Sequence, residues 1–130
     1  MTDAVHELRL VVTTDDFDEA VRFYRDVLGL RERPTPAFPG GRLAILEAGR
    51  ATLELADPVQ AAAIDDVEVG RRVAGHIRVA FGVPDSRETA ARLAAAGAEV
   101  LAEPARTPWG SLNARLDGAA GLQLTLFSGE

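Results

Sequence analysis

The sequence predicts an α+β fold: two tandem β-α-β-β-β modules whose strands join in a curved mixed sheet, a cup with helices on its outer face. Three observations carry this prediction. The chain repeats itself, because moving 69 positions along takes Arg9 to Arg78, Val12 to Phe81, Asp16 to Asp85 and Gly41 to Gly110. RLVVTTDDFDEAVRFYRDVLG and RVAFGVPDSRETAARLAAAG share one plan of apolar strand, acidic turn, amphipathic helix and glycine. Each helix is then followed by strand-like runs, which places a sheet and its covering helices in both halves.

Leu8, Leu10 and Val12 alternate with Arg9, Val11 and Thr13, the period of a half-buried strand. Asp15 or Asp16 caps the next helix, where Phe17, Val21, Tyr24 and Leu28 form an apolar stripe and Gly29 supplies the left-handed stop. Tyr24 therefore belongs to the core. Leu43 to Glu47 and Thr52 to Ala56 read as strands. In the second half, Asp85 with Glu88 three positions on makes a capping box, the Ala-rich run to Gly97 favours helix, and Ser111 to Leu116 and Leu122 to Phe127 read as strands. Module one covers about residues 5–57 and module two about 76–128. The connection 58–75 shows no clean period; it reads as an irregular crossing with room for a short helix, the segment freest to move.

Strand parity decides which side chains face the cup. Leu53, Leu55, Leu112, Leu116, Leu122, Leu124 and Leu126 go to the helices. The opposite parity presents Arg9, Val11, Thr13, Thr52, Glu54, Arg78, Ser111, Asn113, Arg115, Gln123, Thr125 and Phe127, a face mixed enough to line a wet concavity. Small side chains there, including Thr13, Thr52, Ala56 and Ser111, leave space.

Composition removes several mechanisms. The 130 residues lack cysteine, which excludes disulfides, thiolate metal sites and a cysteine nucleophile. All 14 basic residues are arginine, so lysine Schiff-base chemistry is excluded too. A net charge of −6 with scattered basic residues argues against nucleic acid and anionic membrane surfaces. MTDAVHELRL is no signal peptide, and no apolar run nears the roughly 18 residues of a membrane span; a cytoplasmic protein is expected. No G-x-S-x-G elbow, P-loop or paired carboxylates stand out.

HELRLVVTTDDFDEAVRFYRDVLGL, LELADP, PWG and GLQLTLF, in this order around the duplicated plan, resemble the vicinal oxygen chelate superfamily of glyoxalases, extradiol dioxygenases, epimerases and bleomycin-type resistance proteins. The resemblance spans nearly the whole chain and implies a single such domain over residues 1–130. It also implies, in members with metal chemistry, four His and Glu ligands aimed into the cup. Here those positions fall on Arg9, Glu54, Arg78 and Thr125. A guanidinium has no free lone pair and repels a dication, so no metal or other cofactor is expected. A two-residue slip would bring His76 into the ligand position, with Glu7 recruited by a matching slip; His6 reads as solvent-exposed.

The expectation is therefore a metal-free small-molecule binding protein of the glyoxalase/bleomycin resistance type. A planar or aromatic ligand would meet Arg9, Glu54, Arg78, Trp109, Asn113, Arg115, Thr125, Phe127 and Phe38 in the cup. A homodimer is expected from the exposed edges of so curved a sheet. Alternatives stand beside each part. Arg9 with Glu54, and Arg78 with Thr125 or Asn113, serve equally as buried cross-links, and Trp109 either overhangs the cup or plugs the hinge between halves. The competing activity is a lyase, isomerase or dioxygenase, metal-dependent or using Glu54 as a base that the neighbouring arginines would weaken. A third reading is an interaction domain with a filled cup.

Overall fold

The computed structural model of the chain describes residues 4–129. One eight-stranded open sheet runs in the order β2-β3-β4-β1-β5-β8-β7-β6. Module one supplies β1 (Glu7–Thr13), β2 (Arg31–Arg33), β3 (Leu43–Ala48) and β4 (Ala51–Ala56); module two supplies β5 (Ile77–Gly82), β6 (Glu99–Arg106), β7 (Leu112–Asp117) and β8 (Gln123–Ser128). The order is a palindrome of the two modules. β1 and β5 pair antiparallel at the centre, each pairs in parallel with the last strand of its own module, and the outer pairs are antiparallel. This is the α+β cup that the duplicated sequence predicts.

Each module builds its own core between sheet and helix. Val21 and Phe17 of α1 (Phe17–Val21) pack with Ala44, Leu46 and Leu55, whereas Ala90 of α3 (Ser86–Ala95) packs with Val83, Ala114, Leu116 and Leu126. Leu46, Leu55, Leu116 and Leu126 are at most 1% exposed, and such burial stabilises by about 1.5–3 kcal/mol per side chain. Both helices begin as the sequence indicates: Asp16 accepts from the Glu19 N–H at 3.2 Å and Asp85 from the Glu88 N–H at 3.1 Å. Gly29 and Gly97 follow them with φ of +96° and +111°, a backbone state that favours glycine.

Two elements depart from expectation. Beyond Val21 the first helix widens into a π-helical stretch, Arg22–Val27, in which the Leu28 N–H reaches the Phe23 carbonyl at 2.9 Å. The wider turn rotates the last residues of the helix, so Tyr24 packs on the core while Leu28, expected on the apolar stripe, is 63% exposed. The connection is the second departure. It holds an eleven-residue helix, α2 (Pro58–Glu68), capped by Asp57, which accepts from the Gln60 N–H at 2.8 Å. α2 lies on the concave side, and its N-terminal turn presses on Gly41, where a Cβ would come within 3.0 Å of the Gln60 backbone. Among the described residues, no helix is long and apolar enough to cross a membrane.

Candidate functional site

The concave face of the sheet and α2 enclose a cavity of about 680 Å³. Its floor carries Glu7, Arg9 and Val11 from β1, Glu54 from β4, Arg78 and Ala80 from β5, and Thr125 and Phe127 from β8. These side chains share a face because their positions share strand parity. Glu54 and Arg78 stand at one level, since Val11 of the strand between them is opposite both.

Arg78 is 7% exposed and donates one hydrogen bond, from Nη1 to the Thr125 hydroxyl at 2.8 Å. Its Nε is buried without a partner, and among the described residues no carboxylate lies within 4.0 Å of the guanidinium. Burial, and then repulsion from Arg115, push its pKa down from the usual arginine value. Arg9 has a different setting. It does not meet Glu54, the pairing considered from sequence. Its Nε donates instead to Glu7 at 2.7 Å, two residues away on the same strand face, and its guanidinium lies 4.8 Å above the Phe127 ring.

The backbone of Glu54 is paired in the sheet, but its carboxylate takes part in no hydrogen bond among the described residues. Burial pushes its carboxyl above the ordinary carboxylate value, and this outweighs Arg78 and Arg9, which act in the opposite sense. The arginines do lower the Glu54 pKa, as expected, but burial outweighs them and the net shift is upward.

Arg115 and Asn113 lie toward α2. Arg115 is fully buried; Nη1 donates to Asp65 at 2.7 Å and to Gln123 at 2.9 Å, while Nη2 donates to Glu68 at 2.7 Å. Asn113 donates to the same Glu68 at 2.8 Å and borders the cavity, whereas Arg115 does not. The place of Arg115 among the expected ligand-binding residues is corrected: it is fully buried off the cavity wall, and its Nε, Nη1 and Nη2 atoms all donate within the chain. Asp65 also accepts from Arg72 and from the Val73 and Ala74 N–H groups, each at 2.8 Å. Burial opposes its ionisation, but the Ala74 N–H, Arg115, the Val73 N–H and Arg72 together hold its pKa below the ordinary aspartate value.

Phe38 and Trp109, from corresponding loops of the two modules, border the cavity and meet edge to face with ring centroids 6.1 Å apart. Trp109 is 49% exposed, so it overhangs the cavity and does not plug a dry hinge. His6 lies exposed at the rim, while the exposed His76 ring bonds the Thr13 carbonyl at 2.9 Å. Sequence reasoning missed the contribution of Gln60, Ile64 and Glu68 on α2. Their only signal was a set of polar positions in a segment without apolar period.

The donor set does not fit a divalent metal. Of the four positions at which the family resemblance implies metal ligands, Arg9 and Arg78 are cations, and the Thr125 hydroxyl already accepts from Arg78. Glu54 alone offers a free carboxylate, and among the described residues no three His, Cys, Asp or Glu side chains are grouped to hold an ion.

Residues 8–125 match the family model of the Glyoxalase/Bleomycin resistance protein/Dioxygenase superfamily. The chain belongs to this superfamily. It is 36% identical over 102 residues to "Putative glyoxylase CFP32" of Mycobacterium tuberculosis, an alignment covering 73% of this chain and 33% of that protein. The chain thus spans about a third of the length of the curated relatives it matches. Among solved structures it resembles a variant of Streptomyces coelicolor methylmalonyl-CoA epimerase in complex with 2-nitronate-propionyl-CoA. The two share 26% identity and a TM-score of 0.71, with 98% of this chain and 96% of that chain covered. A hypothetical protein of Bacillus halodurans, at 21% identity and TM-score 0.71 over 94% of this chain and 92% of its own, shares the superfamily's fold.

Proposed function

We propose that this superfamily member is a metal-free small-molecule binding protein that holds a planar or aromatic ligand in its sheet cup. The observation that carries this reading is the substitution of Arg9 and Arg78 for metal ligands on the floor of a roughly 680 Å³ cavity that Phe38, Trp109 and Phe127 help to line. That volume lies within the usual range for small-molecule pockets, and apolar walls with a few polar anchors are their usual construction. A second copy of the chain completing the cup, and a place in the cytoplasm, belong to the same proposal.

The test is a titration of Trp109 fluorescence with planar aromatic compounds, in protein stripped of metal by a chelator. Saturable quenching without added metal is expected. Stoichiometric zinc, manganese, iron or nickel, retained through dialysis and lost in Glu54→Ala, would overturn the reading.

A second reading, proton transfer, is favoured by one observation: Glu54, whose carboxyl burial pushes above the ordinary value and which makes no side-chain hydrogen bond among the described residues, stands across one strand from the Arg78 guanidinium, which has no counterion there. A carboxylate so placed removes a proton from carbon while the cation stabilises the enolate oxygen. Incubation with methylmalonyl-CoA in deuterated water separates the two: binding alone leaves the C2 proton in place, whereas deuterium at C2 that disappears in Glu54→Gln establishes catalysis.

A further inference from the structure

Resting on the reading of the cup as a ligand pocket, we propose that its ligand is an aromatic carboxylic acid, bound as the anion. The carboxylate sits on Arg78, and the ring lies among Phe38, Trp109 and Phe127. Arg78 is the one cation on this face that the chain leaves without a counterion among the described residues. Arg9 has Glu7 and Arg115 has Asp65 and Glu68, whereas Arg78 has a neutral hydroxyl and a buried Nε with no acceptor. A guanidinium taken out of water with one hydrogen bond is costly, and a planar carboxylate meeting its fork offsets that cost with two charge-assisted bonds. An anionic ligand therefore completes what the fold leaves unfinished.

The remaining walls specify the rest of the molecule. Val11, Leu43, Ile45 and Ile64 supply apolar surface, and the edge-to-face pair of Phe38 and Trp109 offers ring faces and edges to a third ring. The net charge of −6 does not oppose this assignment. Surface charges are screened over about 8–10 Å at physiological salt, whereas a buried pair at contact is screened far less.

Glu54 is the negative group that works against a bound carboxylate. The charged groups around it are Arg9 and Glu7 from β1, Arg78 from β5 and Glu68 from α2, with His6 at the cavity rim; Glu7 and Glu68 are each tied to an arginine. Removing the Glu54 charge should tighten binding of an acid and leave a neutral analogue unaffected.

Calorimetry with 2-naphthoate and its neutral isostere 2-naphthamide tests the proposal. The acid is expected to bind the parent protein at least tenfold more tightly than the amide. Arg78→Gln should reduce acid affinity to the level of the amide, with amide affinity unchanged as proof that the cup is intact. Glu54→Gln should tighten the acid alone, by several-fold. Equal affinity of acid and amide for the parent protein, or full acid affinity in Arg78→Gln, overturns the carboxylate assignment while leaving the pocket reading in place. Failure of both probes to bind overturns the two together. If Arg78→Gln does not fold, the acid-to-amide ratio in the parent protein still decides.

Discussion

Two buried arginines stand two strands apart on the same sheet face, Arg115 on β7 and Arg78 on β5, with opposite surroundings. Arg115 meets two carboxylates and a side-chain amide, all from its own chain, at 2.7–3.2 Å. Arg78 meets one hydroxyl. Both are buried, so burial does not separate a charge that holds the fold together from one available to a ligand. The separation comes from the counterions: a charge answered by the chain is structural, and the buried charge left unanswered is the one we propose takes a ligand.

The largest expected effect comes from breaking the answered charge. Arg115→Ala leaves Asp65 and Glu68 buried together without their cation and should cost about 3–5 kcal/mol in urea denaturation. Acid attacks the same cluster. The Asp65 pKa is lowered in the folded state, so its contribution is present above the ordinary value of 3.8 and is lost as pH falls through the folded value. Thermal midpoints should therefore drop below pH 3.8, and Asp65→Asn should flatten that acid limb.

Glu54 is the reverse case. Its raised pKa means that stability is full below the ordinary value of 4.5 and declines as pH rises through the folded value. Glu54→Gln should stabilise the protein at pH 7 by on the order of 1 kcal/mol, and the gain should vanish below pH 4.5. For Arg78→Met, unfolding free energy should stay within about 1 kcal/mol of the parent, because an apolar chain of similar volume replaces a costly buried charge whose one hydrogen bond goes to a neutral hydroxyl. A loss as large as that of Arg115→Ala would erase the distinction between the two arginines. The smallest effect belongs to the exposed Glu88–Arg92 pair on α3, where Arg92→Ala should change stability by no more than about 0.5 kcal/mol.

The duplicated strand-helix plan made the sheet, its cup face and the Asp-capped helices legible, because alternation and capping are local signals. Parity alone brings Arg9, Glu54, Arg78, Thr125 and Phe127 to one cavity floor. The partners of those side chains were not legible. Arg115 reaches Asp65 and Glu68 across 50 and 47 positions of sequence, and α2 gave no helical signal because it buries Gln60, Asp65 and Glu68 in place of an apolar stripe. Arg9 pairs with Glu7 and not with Glu54 because a partner on its own strand face is within reach. The π-helical stretch at Arg22–Val27 likewise leaves no mark on the spacing that precedes it.

Helix α2 has its first turn tied to one module, where Gln60 accepts from the Phe38 N–H and Asp57 from the Arg42 N–H, and its last turn tied to the other through Asn113 and Arg115. It is a crossbar clamped at both ends. The aperture of the bowl is thereby fixed from within a single polypeptide, and any spreading of the halves to admit a bulky guest must first release one of those clamps.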